Sequence, residues 1–315
     1  MDLSIVVSLT QEEKAAIAKK IKNITEDEAV ANYQKLKKID LSKISNETRI
    51  GNKFVDCFTF LARLETVSKR EVSYFDFIHD TKYHEKKYIQ NLLNYQKGDD
   101  NHVALYRVFK LHCGSIGLFK PLNAMCIYKR FKPQSVLDFT MGWGCRLVGA
   151  CAADVPSYTG IDINPSLKAP YERMVEVLKG ITIKTKGKNN PDTTLQTNIT
   201  LLFQDALTVD YSALDYDCVF TSPPYFNIEI YEGTTAKTEE AWVNEFYVPI
   251  FTKTYEHLKP GGHFILNVPA NLYEMVCVPL LGTATTQIAL KKKTRPKNCY
   301  TKKDYNEYIY VWLKS

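Results

Sequence analysis

The hexapeptide Thr221-Ser222-Pro223-Pro224-Tyr225-Phe226 follows three apolar residues, Cys218, Val219 and Phe220, and closes a buried strand. Two successive prolines lack the N–H groups that a central strand must donate, so the strand stops there and a rigid turn begins. The turn offers a small hydroxyl at Ser222, a carbonyl at Pro223 and an aromatic face at Tyr225. Two acceptors beside a flat ring form a grip for a planar amine. Such an amine is a poor nucleophile because its lone pair is delocalised into its ring. Acceptors that take its hydrogens favour a pyramidal nitrogen and aim that lone pair, which is catalysis by positioning and electrostatics. The Pro-Cys dipeptide that attack on a ring carbon would need is absent from the chain.

A lone Pro-Pro pair is an ordinary strand end, and its meaning here comes from what precedes it. Residues 136–144 read Val-Leu-Asp-Phe-Thr-Met-Gly-Trp-Gly, an apolar strand that ends in Asp138 and opens a glycine turn ahead of the small and apolar run 145–152. Gly142 and Gly144 permit a ligand to approach the backbone closely. A second strand at 158–161 ends in Asp162 and is followed by Asn164-Pro165. This puts a carboxylate where a ribose diol would lie beside the turn. A third strand, 199–203, ends in Gln204-Asp205, so an acid closes three strands in succession before the Ser-Pro-Pro-Tyr strand arrives.

This ordering resembles the S-adenosylmethionine-dependent amino-methyltransferases, specifically the DNA enzymes that methylate the exocyclic amine of cytosine or adenine. The resemblance covers roughly residues 114–315. It implies that Asp138 and the glycines Gly142 and Gly144 hold the methionine moiety of the cofactor, that Asp162 takes the ribose hydroxyls and that Asp205 faces the adenine amine. Phe119-Lys120-Pro121 matches the Phe-x-Pro element that contributes to the same site, through Phe119 and Pro121. Ser222, Pro223, Pro224 and Tyr225 become the catalytic grip, with Tyr225 stacking on a base taken out of the duplex or already single-stranded. Ser ahead of Pro-Pro-Tyr favours cytosine N4, with adenine N6 second. The chain departs from the family's Asp-Pro-Phe opening, having Phe139 and Thr140 after the acid. The Gly-Trp-Gly loop and the Gly51-Asn52-Lys53-Phe54 segment also resemble methyltransferases of phages and large DNA viruses.

Two rival readings come from other classes. An RNA or protein-glutamine amino-methyltransferase shares the Pro-Pro-Tyr grip but normally opens it with Asn, against Ser222. A non-catalytic nucleic-acid-binding relative would have had no need to keep acids at 138, 162 and 205.

Composition is compatible with each of these. The 315 residues are 45% hydrophobic and 24% charged, with a formal net charge of +6 that leans mildly toward a polyanion. The eight cysteines (Cys57, Cys113, Cys126, Cys145, Cys151, Cys218, Cys277 and Cys299) form no Cys-x-x-Cys pair and read as reduced core residues of an intracellular, cytoplasmic protein, in the host cell if viral. His79 and His84 are too far apart for one helical face, and no metal site is expected. Neither a signal peptide nor a membrane-spanning run is visible.

The predicted fold is α/β, a doubly wound Rossmann-like methyltransferase sheet over residues 111–315, preceded by a helical extension over residues 1–110. In the extension, Thr10-x-x-Glu13 and Thr25-x-x-Glu28 are capping boxes, followed by Ile17, Ile21, Ile24 and by Val30, Tyr33, Leu36 at helical spacing. Residues 54–64 are apolar enough to dock on the catalytic part, 74–78 continue that character, and 82–100 are charged and exposed around Leu92 and Leu93. Beyond the grip, 246–258 is helical, Lys259-Pro260-Gly261-Gly262 turns into a strand at 263–268, and strands at 286–290 and 308–313 close the sheet as an antiparallel pair. The basic connection between those two carries Lys291, Lys292, Lys293, Arg295, Lys297, Lys302 and Lys303 and is a candidate phosphate contact. Residues 184–198 form a polar loop.

Overall fold

The computed structural model describes residues 9–43, 48–67, 72–95, 101–114, 116–183, 194–226, 237–290 and 307–315. The basic connection and most of the polar loop predicted from the sequence lie outside them. Seven strands form one sheet: β1 (Ser135–Asp138), β2 (Ser157–Asp162), β3 (Asn198–Phe203), β4 (Cys218–Thr221), β5 (His263–Val268), β6 (Thr286–Leu290) and β7 (Glu307–Leu313), in the order β3-β2-β1-β4-β5-β7-β6. The pairs from β3 to β5 are parallel, and β7 runs antiparallel to both β5 and β6. This is the doubly wound, Rossmann-like α/β sheet that the sequence predicts. Chain order reverses between β1 and β4, which opens a crevice at the carboxyl ends of those strands.

The helices are α1 (Gln11–Ile21), α2 (Glu26–Lys37), α3 (Asn52–Glu65), α4 (Tyr74–His79), α5 (Thr81–His84), α6 (Lys87–Tyr95), α7 (Asn101–His112), α8 (Pro121–Phe131), α9 (Cys145–Ala152), α10 (Lys168–Gly180), α11 (Glu239–Trp242), α12 (Val248–Glu256), α13 (Ala270–Leu272) and α14 (Val278–Leu281). Both predicted capping boxes are present, at Thr10 with Glu13 and at Thr25 with Glu28. A third, Ser73 with Asp76, starts α4. Two helical segments carry a π turn, Val243–Tyr247 between α11 and α12 and Tyr273–Cys277 between α13 and α14. The helix expected from 246 therefore begins at Glu239, where Thr238 caps it.

The N-terminal helices do not form a separate core throughout. Ala29, Tyr33 and Leu36 of α2 and Phe54 and Val55 of α3 share one apolar cluster with Leu147, Val148 and Cys151 of α9 and Tyr171 and Met174 of α10. Across the same contact Arg173 grips Glu26 through Nε and Nη2, at 2.9 and 2.6 Å, and Lys37 pairs with Asp154. A second cluster, built from Phe60, Leu64, Tyr74, Phe77, Ile89 and Phe109, holds the remaining helices of the extension. Within the segment expected to be charged and exposed, Ile89 is fully buried in that cluster and Leu92 and Leu93 pack on it. Among the described residues no helix is long and apolar enough to cross a membrane.

Candidate functional site

The turn after β1 is held from several sides. Met141 N–H donates to the Ile161 carbonyl at 2.8 Å, and Tyr171 Oη donates to the Gly142 carbonyl at 2.9 Å. From the extension, Thr59 Oγ1 lies 3.0 Å from the Val55 carbonyl of its own helix and 3.3 Å from the Trp143 carbonyl. Gly144 has φ +90, and a Cβ there would stand 2.9 Å from Met174 Cε, so this glycine is set by backbone and packing behind the turn. Gly142 has φ +56, and a Cβ there would meet nothing closer than 3.9 Å. Its bare backbone faces a cavity of about 310 Å³ at the carboxyl ends of β1, β2, β3 and β4.

One end of that cavity is lined by Gly142, Trp143, Asp162, Ile163, Leu167, Asp205 and Leu207. Asp162 Oδ2 accepts from Gly142 N–H at 2.8 Å and Oδ1 from Asn164 N–H at 3.0 Å. Burial raises its pKa, and the two N–H donors only partly offset this, so the carboxyl is pushed up to about 6. Asp205 Oδ1 accepts from Leu207 N–H at 2.9 Å. Two carboxylates separated by apolar side chains suit a ligand with a diol at one point, donors at another and a flat apolar body between them. The ribose and adenine of S-adenosylmethionine have those features, and the cavity is of a size that encloses such ligands.

The other end is lined by Thr140, Ser222, Pro224, Lys237, Trp242 and Phe246. Ser222 Oγ donates to Asn267 Oδ1 at 3.2 Å. Tyr225 Oη donates to Asn267, at 2.8 Å from its carbonyl and 3.1 Å from Oδ1. Tyr247, fully buried at the end of the π turn, donates to the Pro224 carbonyl at 2.6 Å and accepts from Phe226 N–H at 2.9 Å. Phe226 has φ 52, a left-handed conformation that a side chain of this size adopts only under constraint, and the Tyr247 hydroxyl supplies one. The π turn places Trp242 and Phe246 on the cavity wall and sends Tyr247 behind it.

Of the residues singled out in the sequence, Gly142, Asp162, Asp205, Ser222 and Pro224 line this one cavity. Asp138 lies beneath it, fully buried. Its Oδ2 accepts from Arg146 Nε at 2.8 Å and Tyr158 Oη at 2.7 Å, and its Oδ1 from Thr221 Oγ1 at 2.8 Å. Burial opposes the Arg146 charge, but the Asp138 carboxylate more than offsets this and the guanidinium is held firmly protonated. Asp138 is thus fully buried, with three donors from the chain itself on its oxygens, and is no part of the cavity lining. Gly144, Pro223 and Tyr225 are outside the cavity lining. So are Phe119, whose ring packs edge-on against Phe220 at 5.6 Å, and Pro121, the buried first residue of α8. Sequence reading missed Trp143, Ile163, Leu207, Trp242, Phe246 and Asn267. For Ile163 and Leu207 a signal existed, since each is the first large apolar residue after a strand-ending acid.

No protein-family model matches the chain, and no curated protein matches it. Among solved structures it is similar to TrmN from Thermus thermophilus, at 15% identity and a TM-score of 0.43 over 63% of this chain and 50% of that one. It is similar to an rRNA methylase from Streptococcus thermophilus, at 13% identity and a TM-score of 0.37 over 63% and 99% of the two chains. It is also similar to the N-methyltransferase NodS from Bradyrhizobium japonicum, at 12% and 0.39 over 62% and 92%. The chain spans half the length of the TrmN chain. At these values the likeness is one of distant chains and concerns fold alone.

Proposed function

We propose that this protein is an S-adenosylmethionine-dependent methyltransferase acting on the exocyclic amine of a DNA base, cytosine N4 before adenine N6. The observation that carries the reading is that Asp162, beside the bare backbone of Gly142, and Ser222 open into a single cavity. A cofactor seated on the acids of β2 and β3 would then meet an amine held at the end of β4.

The cofactor supplies an electrophilic methyl group; the chain supplies everything that aims a nucleophile at it. Asp162 binds the ribose hydroxyls in its ionised form and Asp205 faces the purine. Trp143, Ile163 and Leu207 give apolar contact and keep water from the purine. Ser222 Oγ, on the cavity wall, accepts a hydrogen from the amine, so the nitrogen lone pair is freed from the ring and aimed. Trp242 and Phe246 offer flat surfaces at the same end, and stacking on such surfaces is worth about 1–3 kcal/mol per base.

The test is incubation of the purified protein with methyl-labelled cofactor and separate DNA, RNA and protein acceptors, followed by nucleoside mass spectrometry. The expected product is N4-methylcytosine in DNA, with N6-methyladenine as the second outcome. Label found only in RNA or in glutamine would move the acceptor class, and a folded protein that fails to bind the cofactor by calorimetry would remove the proposal.

A further inference from the structure

Two hydroxyl-bearing residues line the Pro-Pro end of the cavity, Thr140 and Ser222, and both have their protons committed within the protein. Asn267 is buried at 1% exposure on β5, and its Nδ2 lies 3.1 Å from the Tyr308 carbonyl on β7. A carbonyl only accepts, so the amide nitrogen must be the atom that points there. The Asn267 oxygen is thereby turned toward Ser222 and Tyr225, and an amide oxygen only accepts as well. Ser222 therefore donates its single proton to Asn267, and its lone pairs are what remain for the cavity.

A second chain of bonds reaches the same result at Thr140. Asp138, ion-paired with Arg146, accepts from Thr221 Oγ1 at 2.8 Å, which uses the Thr221 proton. The Thr140 to Thr221 hydroxyl contact at 2.6 Å must then take its proton from Thr140. The alternative acceptor for that proton, the Ser222 carbonyl, is farther away at 3.3 Å and also lies within the protein. Thr140, like Ser222, faces the cavity with lone pairs only.

We propose that Thr140 and Ser222 form an acceptor-only seat, and that Asn267 is the positioning residue that fixes the polarity of its catalytic half. The seat admits a group that brings its own hydrogens, a primary amine, and rejects a carbonyl or ether oxygen, which would face lone pairs without a proton between them. Rejection of this kind is strong because the site's polar groups are left unpaired when the wrong group enters. The inference rests on the methyltransferase reading for what happens to the seated amine, and on hydrogen-bond direction alone for what is seated.

Two experiments test it. Saturation-transfer NMR of the wild type with S-adenosylhomocysteine compares cytidine with uridine and adenosine with inosine, each pair exchanging an amine for a carbonyl and, with it, a bare ring nitrogen for an N–H. The amine-bearing member of each pair should give the stronger signal; equal signals, none, or a preference for the carbonyl would overturn the seat. Asn267→Leu should then lower kcat by roughly 10²-fold, the scale expected for a misaimed reacting group, while cofactor affinity stays within about twofold. Asn267→Asp gives the readout that a merely structural role would not. When protonated, its O–H donates to the Tyr308 carbonyl and its other oxygen still accepts from Ser222. Its kcat relative to wild type, at saturating cofactor, should rise as pH falls. A ratio flat in pH, or wild-type kcat in Asn267→Leu, would remove Asn267 from the role. Absence of transfer by the wild type would instead remove the proposed function and leave the nucleoside comparison to decide the seat.

Discussion

Asp138 and Asp162 end neighbouring parallel strands and hold the same place in the sequence pattern, yet their surroundings differ completely. Asp138 is fully buried, and its oxygens accept from Arg146, Tyr158 and Thr221. Asp162 accepts two backbone N–H groups and turns the rest of its carboxylate to the cavity. The first is a fastener: a buried charge whose partner was supplied eight residues later on α9. The second opens to the cavity, and burial disfavours its charge more than two backbone N–H donors favour it.

Arg146→Met leaves the Asp138 carboxylate buried without its cation, which should cost about 3–5 kcal/mol of stability, read by urea denaturation. A loss below about 1 kcal/mol would mean that Tyr158 and Thr221 suffice for the charge.

Asp162 should show its difference through pH. Its folded pKa near 6 lies above the ordinary value of 3.8, so the folded state holds a proton that the unfolded chain has released between those values. The stabilisation from this group is present in full below about pH 4 and is lost as pH rises through 6, by at most about 3 kcal/mol. Asp162→Asn should abolish that part of the slope in denaturation curves taken across pH 4–7. Cofactor binding runs the other way and should tighten above pH 6, where the ionised group accepts from a diol. Identical slopes in variant and wild type would mean that Asp162 is as well solvated as a surface acid.

At the opposite end of the cavity, Tyr247→Phe strips the Pro224 carbonyl and Phe226 N–H of their partner. A stability loss of about 1–3 kcal/mol is expected. Methyl transfer should fall while calorimetry shows unchanged cofactor affinity; weaker cofactor binding would mean the two ends are not separable. The smallest effect belongs to the extension. Thr59→Val removes a hydroxyl shared between the Val55 carbonyl at 3.0 Å and the Trp143 carbonyl at 3.3 Å, and should weaken cofactor affinity by at most about fivefold, or 1 kcal/mol.

The strands β1 to β5 were legible because each is punctuated by an acid, a glycine or a proline. The α1 and α2 helices were legible for a similar reason, their capping boxes. Which acid would be sealed beneath the cavity was not legible, because the answer lies in Arg146, a lone cation within an otherwise apolar helix, and no local pattern ties it to Asp138. Asn267 was hidden for the same reason: it is one polar residue in the strand His263–Val268, and only the arrival of β7 defines its orientation. The role of the extension was legible only in part. Docking of residues 54–64, now α3, on the catalytic part was visible in their apolar character, but not that α2 would join α3 in the core beneath the glycine turn.

The π turn at Val243–Tyr247 turns chain length into orientation. It accommodates one residue more than an α-helix would over the same rise, and a single residue is worth about 100° of rotation. Deleting one residue there would swing everything ahead of it around the helix axis and carry Trp242 off the wall it now forms. The breadth of the acceptor end is therefore adjustable by insertion and deletion in a helix, without any change to the sheet, the acids or the Pro-Pro turn.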